Sequence, residues 1–182
     1  MTSQTHPLAE ALSQSDVLFE RAQLEPVIAG LGQRIDQALQ GERAVFLTVM
    51  NGALMFAGQL AFAIRTDLEF DYVHATRYRG ETSGNELHWL REPVADLKGR
   101  TVLLVDDILD EGHTLKAVRD DCLTRGARRV LIATLCRKRH DRLVEGIDSD
   151  FNGVDLPDRY VYGYGMDYHE QGRNLPAIYA LR

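Results

Sequence analysis

The chain has 182 residues, a net charge of −6, 45% hydrophobic and 26% charged residues, and two cysteines. One globular domain with a real core fits these values, while broad nucleic-acid binding, which relies on basic surface, does not. Two cysteines are too few for a disulfide framework or a zinc site and suit a reducing cytoplasm. Residues 1–14 lack a basic region followed by a long apolar core, and the longest mostly apolar stretch, 52–64, is too short to span a bilayer. Neither a signal peptide nor membrane association is therefore expected.

In chain order, residues 16–19 are a short strand or the lead-in to a helix. From 20 to 40, Ala22, Leu24, Val27, Ile28, Leu31, Ile35, Ala38 and Leu39 recur at helical spacing. Residues 44–49 form a continuous apolar strand that leads through Met50-Asn51-Gly52 into a helix over 53–64. In a strand over 68–75, Leu68, Phe70 and Tyr72 alternate with Glu69, Asp71 and Val73. The stretch 77–92 is polar and glycine-punctuated, a long loop or irregular hairpin of the kind that often covers an active site. After a turn at 97–100, residues 101–105 make a buried strand. Four carboxylates follow within six positions: Asp106, Asp107, Asp110 and Glu111. Gly112, His113 and Thr114 then open a helix with Leu115, Val118, Cys122 and Leu123 on one face and Gly126 as its C-cap. Residues 129–136 supply the next strand.

Strand, helix and strand in this order form a unit with parallel strands. Ligands of such sheets gather at the carboxyl ends of the strands. The loops at 50–52, 106–114 and 137–139 therefore converge on one edge. The tail, with short strands at 160–164 and 177–181 around a 165–168 loop, is expected to form a small subdomain beside the core together with the N-terminal segment. A strand that ends in acids and turns through glycine into a helix has two chemical surfaces. Its carboxylates can hold sugar hydroxyls or Mg²⁺, and its turn amides can hold a phosphate. A solvated acidic tip would explain four mutually repelling carboxylates poorly without a counter-ion.

The stretch 101–114 resembles the 5-phosphoribosyl-1-pyrophosphate (PRPP) motif of the phosphoribosyltransferases. From about residue 44 to 173 the chain is similar to the 6-oxopurine branch of that family, the hypoxanthine (or hypoxanthine-guanine) phosphoribosyltransferases. The resemblance implies an α/β fold of the type I phosphoribosyltransferase kind: a central, mostly parallel, twisted sheet flanked by helices. One domain would span 1–182, with a core at about 40–150 and a small hood from the N-terminal segment and 151–182. It further implies a cytoplasmic, Mg²⁺-dependent enzyme of purine salvage that acts as a homodimer or homotetramer. Such an enzyme transfers ribose 5-phosphate from PRPP to hypoxanthine, with guanine as the second base, and releases pyrophosphate with IMP or GMP.

Displacing pyrophosphate builds positive charge on the ribose, which nearby carboxylates and Mg²⁺ can offset. By the resemblance, Asp106 and Asp107 hold the ribose hydroxyls directly or through the metal's water shell. Asp106 stands where the family usually has Glu and is one methylene shorter. Asp110 would exchange a proton with the purine near N7, although an Asp there could also simply cap the following helix. The amides of Asp110, Glu111, Gly112, His113 and Thr114, with the Thr114 hydroxyl, would cradle the 5-phosphate. Lys138 would donate to the purine 6-oxo group, Tyr160 would stack on the base, and Val161 would offer its backbone to the base edge. Asp167 would bind a second Mg²⁺, and Arg173 would bind pyrophosphate.

Two departures matter. The pyrophosphate loop, usually Leu-Lys-Gly and often with a cis peptide, is Met50-Asn51-Gly52 here, so Asn51 and Gly52 would serve without the lysine charge. The mobile loop, usually Ser-Tyr, begins Arg77-Tyr78, where the added charge could compensate. The rivals are a PRPP-sensing regulatory protein on the same fold and a transferase for xanthine or another base. A regulator of that kind needs a basic face, which an acidic chain lacks.

Overall fold

The computed structural model describes residues 7–77 and 87–182, apart from the side chains of Thr76, Arg77 and Leu87. A short helix α1 (Pro7–Ser13) leads into strand β1 (Ser15–Phe19) and the long helix α2 (Arg21–Leu39). Strand β2 (Ala44–Met50), helix α3 (Leu54–Ala63) and strand β3 (Leu68–Arg77) follow, and β4 (Leu87–Arg91) returns antiparallel to β3. Strand β5 (Thr101–Leu109), helix α4 (His113–Thr124) and strand β6 (Arg129–Lys138) form the second crossover. The chain closes with β7 (Phe151–Leu156), β8 (Val161–Tyr162) and β9 (Ile178–Leu181).

Six strands pair in the order β4-β3-β2-β5-β6-β7, all parallel except the β3–β4 edge pair. A second, three-stranded sheet runs β1-β9-β8. The period of two along a strand sends alternate residues to opposite faces. Phe46, Leu103, Val105 and Leu135 pack with Leu24, Ile28, Leu31 and Ile35 of α2 and with Phe56 and Leu60 of α3. Val45, Leu47, Val102 and Leu104 meet Leu115, Val118 and Cys122 of α4 on the other face. Helices on both faces explain why the central strands read as continuous apolar runs. The strand order reverses between the parallel neighbours β2 and β5, with β3 and β4 added on one side and β6 and β7 on the other, and a crevice at such a switch point is where open α/β sheets bind ligands.

Two expectations change, and the structure adds two points that the sequence left open. The strand ending at 105 runs on to Leu109, because Asp106, Ile108 and Leu109 continue the ladder with Thr134, Cys136 and Arg137. Asp106 and Asp107 therefore sit on a strand rather than on a loop. In β3, Phe70 and Tyr72 face outward while Asp71 and Val73 face inward. Phe70 is 63% exposed, whereas the Asp71 side chain is only 6% exposed. Asp71 lies there because its carboxylate accepts the Val94 and Ala95 amides at 2.6 and 2.9 Å and pairs with Arg91 at 2.8 Å. These contacts clasp the segment after β4 against β3. Leu123, expected on the buried face of α4, is exposed. Strand β7 pairs in parallel with β6 as the edge of the large sheet. Its sequence, FNGVDL, lacks a strand signal because an edge strand needs little apolar surface of its own.

Tyrosine hydroxyls tie the small sheet together and fasten the loop after β8 to α3. The Tyr162 hydroxyl donates to Ser15 Oγ at 2.9 Å, and the Tyr164 hydroxyl donates to Gln59 Oε1 at 2.7 Å. Gly165 completes the junction at φ +108°, where a Cβ would overlap the Gly52 carbonyl oxygen. Gly165→Ala combines a backbone conformation foreign to L side chains with a clash against main chain. It should cost on the order of 3 kcal/mol, read as a drop of roughly 6–12 °C in Tm.

Candidate active site

Asp106, Asp107, Ile108, Asp110, Glu111, Gly112, His113, Thr114 and Leu115 line one recess of about 380 Å³ at the carboxyl end of β5. The residues named from sequence for ribose and 5-phosphate thus share one cavity. At its floor Asp106 and Asp107 are each only 8% exposed. Burial, and then the charge of Asp107, holds the Asp106 carboxyl well above its usual range. Burial also raises Asp107, although Asp106, the Ile108 amide and the Arg173 charge act the other way. Two adjacent buried carboxyls that resist ionisation suit a cation or a hydroxyl-rich ligand.

Helix α4 opens over this recess. Its N-cap is Gly112 at φ +83°, and no side chain caps it. A Cβ at Gly112 would crowd Ile147, Leu143 and Leu109. The first amides of the helix are therefore left to an incoming anion, as a phosphate turn requires.

Asp110 is not that helix's cap. Its Oδ2 accepts Lys138 Nζ at 2.5 Å, and its Oδ1 lies 2.6 Å from His140 Nε2. Burial pushes the Asp110 carboxyl up, but the hydrogen bonds and charges of Lys138 and His140 outweigh it and leave the group below the usual carboxylate range. Lys138 ends β6, so the loops after β5 and β6 are tied through one carboxylate.

The loop after β2 arrives from the other side. The peptide bond between Met50 and Asn51 is cis, and Asn51 is exposed. Gly52 packs so closely on Asp107 that a Cβ would overlap its carboxylate. The next layer comes from the small sheet. Arg173 Nη1 donates to the Gly165 carbonyl at 2.9 Å and Nη2 pairs with Asp167 Oδ1 at 2.9 Å, while Asp167 Oδ2 accepts the Glu170 amide. Tyr160, 49% exposed, donates its hydroxyl to the Asp167 carbonyl at 3.3 Å and sets its ring edge-on to Tyr168. Val161 beside it is buried.

Among the described residues no three His, Cys, Asp or Glu side chains gather as a metal cage, so Asp106, Asp107 and Asp167 do not form one preformed site. Tyr78 and the Arg77 side chain lie outside the described residues. His140 was missed from sequence. The available signal was its spacing, two residues beyond Lys138 and on the same side of an extended chain.

A switch-point recess with a phosphate-type turn above an acidic strand defines a phosphoribosyltransferase. Residues 15–168 match the phosphoribosyl transferase domain, and the chain belongs to that family. The chain is 35% identical to hypoxanthine-guanine phosphoribosyltransferase of Streptococcus pneumoniae over 167 residues, which is 91% of this chain and 92% of that protein. It is 33% identical to the enzyme of that name from Streptococcus agalactiae, over 93% of this chain and 91% of that protein. Among solved structures, a hypoxanthine phosphoribosyltransferase from Staphylococcus aureus superposes with a TM-score of 0.88 at 29% identity, covering 99% of this chain and 97% of that one.

Proposed function

We propose that this chain transfers the 5-phosphoribosyl group from PRPP to hypoxanthine, with guanine as the second base, giving IMP or GMP and pyrophosphate. The observation that carries the reading is Asp110, which joins Lys138 to the uncapped phosphate turn. On this reading the turn holds the 5-phosphate and Asp106 and Asp107 lie beneath the ribose hydroxyls. Tyr160 covers one face of the purine, which contributes about 1–3 kcal/mol. Val161 meets the base edge through its backbone. Lys138 Nζ donates to the 6-oxo group. As the purine nitrogen attacks the anomeric carbon and the bond to pyrophosphate breaks, Asp110 accepts the proton lost from N7. Arg173, with the Asn51 and Gly52 amides, receives the pyrophosphate, and Tyr78 and the Arg77 side chain, outside the described residues, are the further proposed contacts to it.

The buried pair Asp106–Asp107 fits Mg²⁺, because a divalent cation offsets the cost of ionising both groups. Asp106, Asp107 and Asp167 are the residues proposed to hold it, with the substrate completing the shell. When bound, Mg²⁺ neutralises charge on the departing pyrophosphate.

The chain is also proposed to work as one catalytic domain roofed by the small sheet, in a reducing cytoplasm that suits the free, buried Cys122 and Cys136. Self-association as a homodimer or homotetramer is supported by the exposed apolar side chains Leu54, Met55, Phe70 and Tyr72, and sedimentation would test it. No described helix is long and apolar enough to cross a membrane.

The deciding measurement is pyrophosphate release from PRPP and Mg²⁺ with hypoxanthine, guanine, xanthine, adenine and uracil. Turnover confined to 6-oxopurines supports the reading, and binding of PRPP without turnover on any base overturns it. Lys138→Ala should narrow the gap between hypoxanthine and adenine by about 10²-fold, since a buried donor no longer penalises the 6-amino group. Undiminished selectivity would mean that another group reads position 6.

A further inference from the structure

We propose that His140 is a positioning residue for Asp110, holding one carboxylate oxygen fixed so that the other is released to the substrate when Lys138 turns to the base. This rests on the reading of Asp110 as proton acceptor. Both oxygens of Asp110 are engaged, Oδ2 by Lys138 Nζ at 2.5 Å and Oδ1 by His140 Nε2 at 2.6 Å. Each oxygen keeps a second lone pair, but protonation of an oxygen held by an ammonium at 2.5 Å is unfavourable, so Oδ2 takes a proton from a purine most readily once Lys138 has turned away. The two donors differ in their freedom. Lys138 ends in an ammonium on a flexible four-carbon stem, and its proposed partner is the purine 6-oxo group. His140 has a short rigid ring, its side chain is 3% exposed, and it is held from behind: Nδ1 accepts the Arg142 amide at 3.1 Å. That bond makes Nδ1 the acceptor and leaves Nε2 as the nitrogen that donates to Oδ1.

The loop carrying His140 is itself tied down. The Arg142 guanidinium forks onto Asp158 at 2.8 and 2.7 Å, the Val144 amide donates to the Glu111 carbonyl at 2.9 Å, and the Arg139 amide donates to the Leu156 carbonyl at 2.9 Å. The orientation of Asp110 is thus inherited from β7 and the phosphate turn, through one imidazole. Lys138 is free to leave, whereas His140 stays in place. Without His140, Asp110 would pivot once Lys138 left, just when its geometry matters.

The test is steady-state kinetics of the full chain with PRPP, Mg²⁺ and hypoxanthine, alongside thermal melts, for His140→Ala, His140→Gln, His140→Asn and Asp110→Asn. His140→Ala should lower kcat about tenfold or more with KM for PRPP within about twofold, as expected for a misplaced reacting group. His140→Gln, whose amide nitrogen falls near the Nε2 position, should recover most of kcat. The shorter His140→Asn, which reaches only the Nδ1 position, should not. A purely structural role would lower Tm without separating Gln from Asn. Equal kcat for these two at equal Tm, or wild-type kcat for His140→Ala beside a slow Asp110→Asn, overturns the inference. A wild-type rate for Asp110→Asn removes the underlying reading, and this inference with it.

Discussion

Asp110→Asn should lower kcat by roughly 10²–10³-fold while KM for PRPP changes by no more than about threefold. The amide matches the carboxylate in shape but cannot accept a proton at neutral pH. It also disturbs the resting site, because Asp110 faces two donors, Lys138 Nζ and His140 Nε2. An amide offers one acceptor atom and one donor atom, so either Lys138 or His140 meets an NH₂ group. The variant should therefore also lose stability, with a defined pH dependence. The Asp110 carboxyl sits below its usual value, so its contribution is present above about pH 3.8 and lost as the pH falls through the depressed value. The Tm gap between wild type and Asp110→Asn should be open at pH 7 and shrink in strong acid. A wild-type turnover number would remove Asp110 from the chemistry.

Asp106→Asn should have the opposite stability effect, with an equally clear loss of function. Burial and the neighbouring Asp107 charge hold Asp106 well above its usual value of 3.8. A raised value means that the contribution to stability is complete below about pH 3.8 and lost as the pH rises through the folded-state value. At neutral pH, with divalent cations chelated, the wild type therefore bears the cost of a strained acid pair. Asparagine removes one titrating group and can still accept the Asp107 amide, which Asp106 Oδ1 takes at 3.0 Å. The direction of that shift makes the effect a gain, read as a higher Tm for the variant than for the wild type at neutral pH in chelator. The gain should vanish near pH 3.5. Turnover should fall about 10²-fold, because charge developing on the ribose loses a facing carboxylate. Equal melting temperatures at pH 8 in chelator would show that the pair carries no strain. Stability yielded at a functional site in this way is common where catalysis needs charge in a dry place.

The same acid-rich stretch shows what can be read in one dimension. Residues 101–105 are uncharged and mostly apolar, so a buried strand was legible, as was the helix from the spacing of Leu115, Val118 and Cys122. The convergence of the 50–52, 106–114 and 137–139 loops followed from parallel strands, whose carboxyl ends share one edge of the sheet, and the packing of Gly52 on Asp107 and of Lys138 on Asp110 realises it. Which side of β3 is buried was not legible, because hydropathy alone does not say which neighbour covers a face. Arg91 and two backbone amides from the segment after β4 made the acidic side the buried one. The strand β7 was not legible because its partner, the β6 edge, supplies the ladder that makes it a strand.

By itself the sequence determined the α/β class, the acidic strand, the phosphate turn and the family, since each is written in local spacing and residue type. Tertiary structure decided which groups meet Asp110. Lys138 and His140 stand 28 and 30 residues away along the chain, and only the parallel pairing of β5 with β6 brings them to its two oxygens. It also decided that Asp106 and Asp107 are strained rather than solvated. The repulsion between Asp106 and Asp107 is written in their adjacency, but the burial that raises both comes from the sheet and from Gly52 packed on Asp107, and the opposing Arg173 charge is brought in from far along the chain.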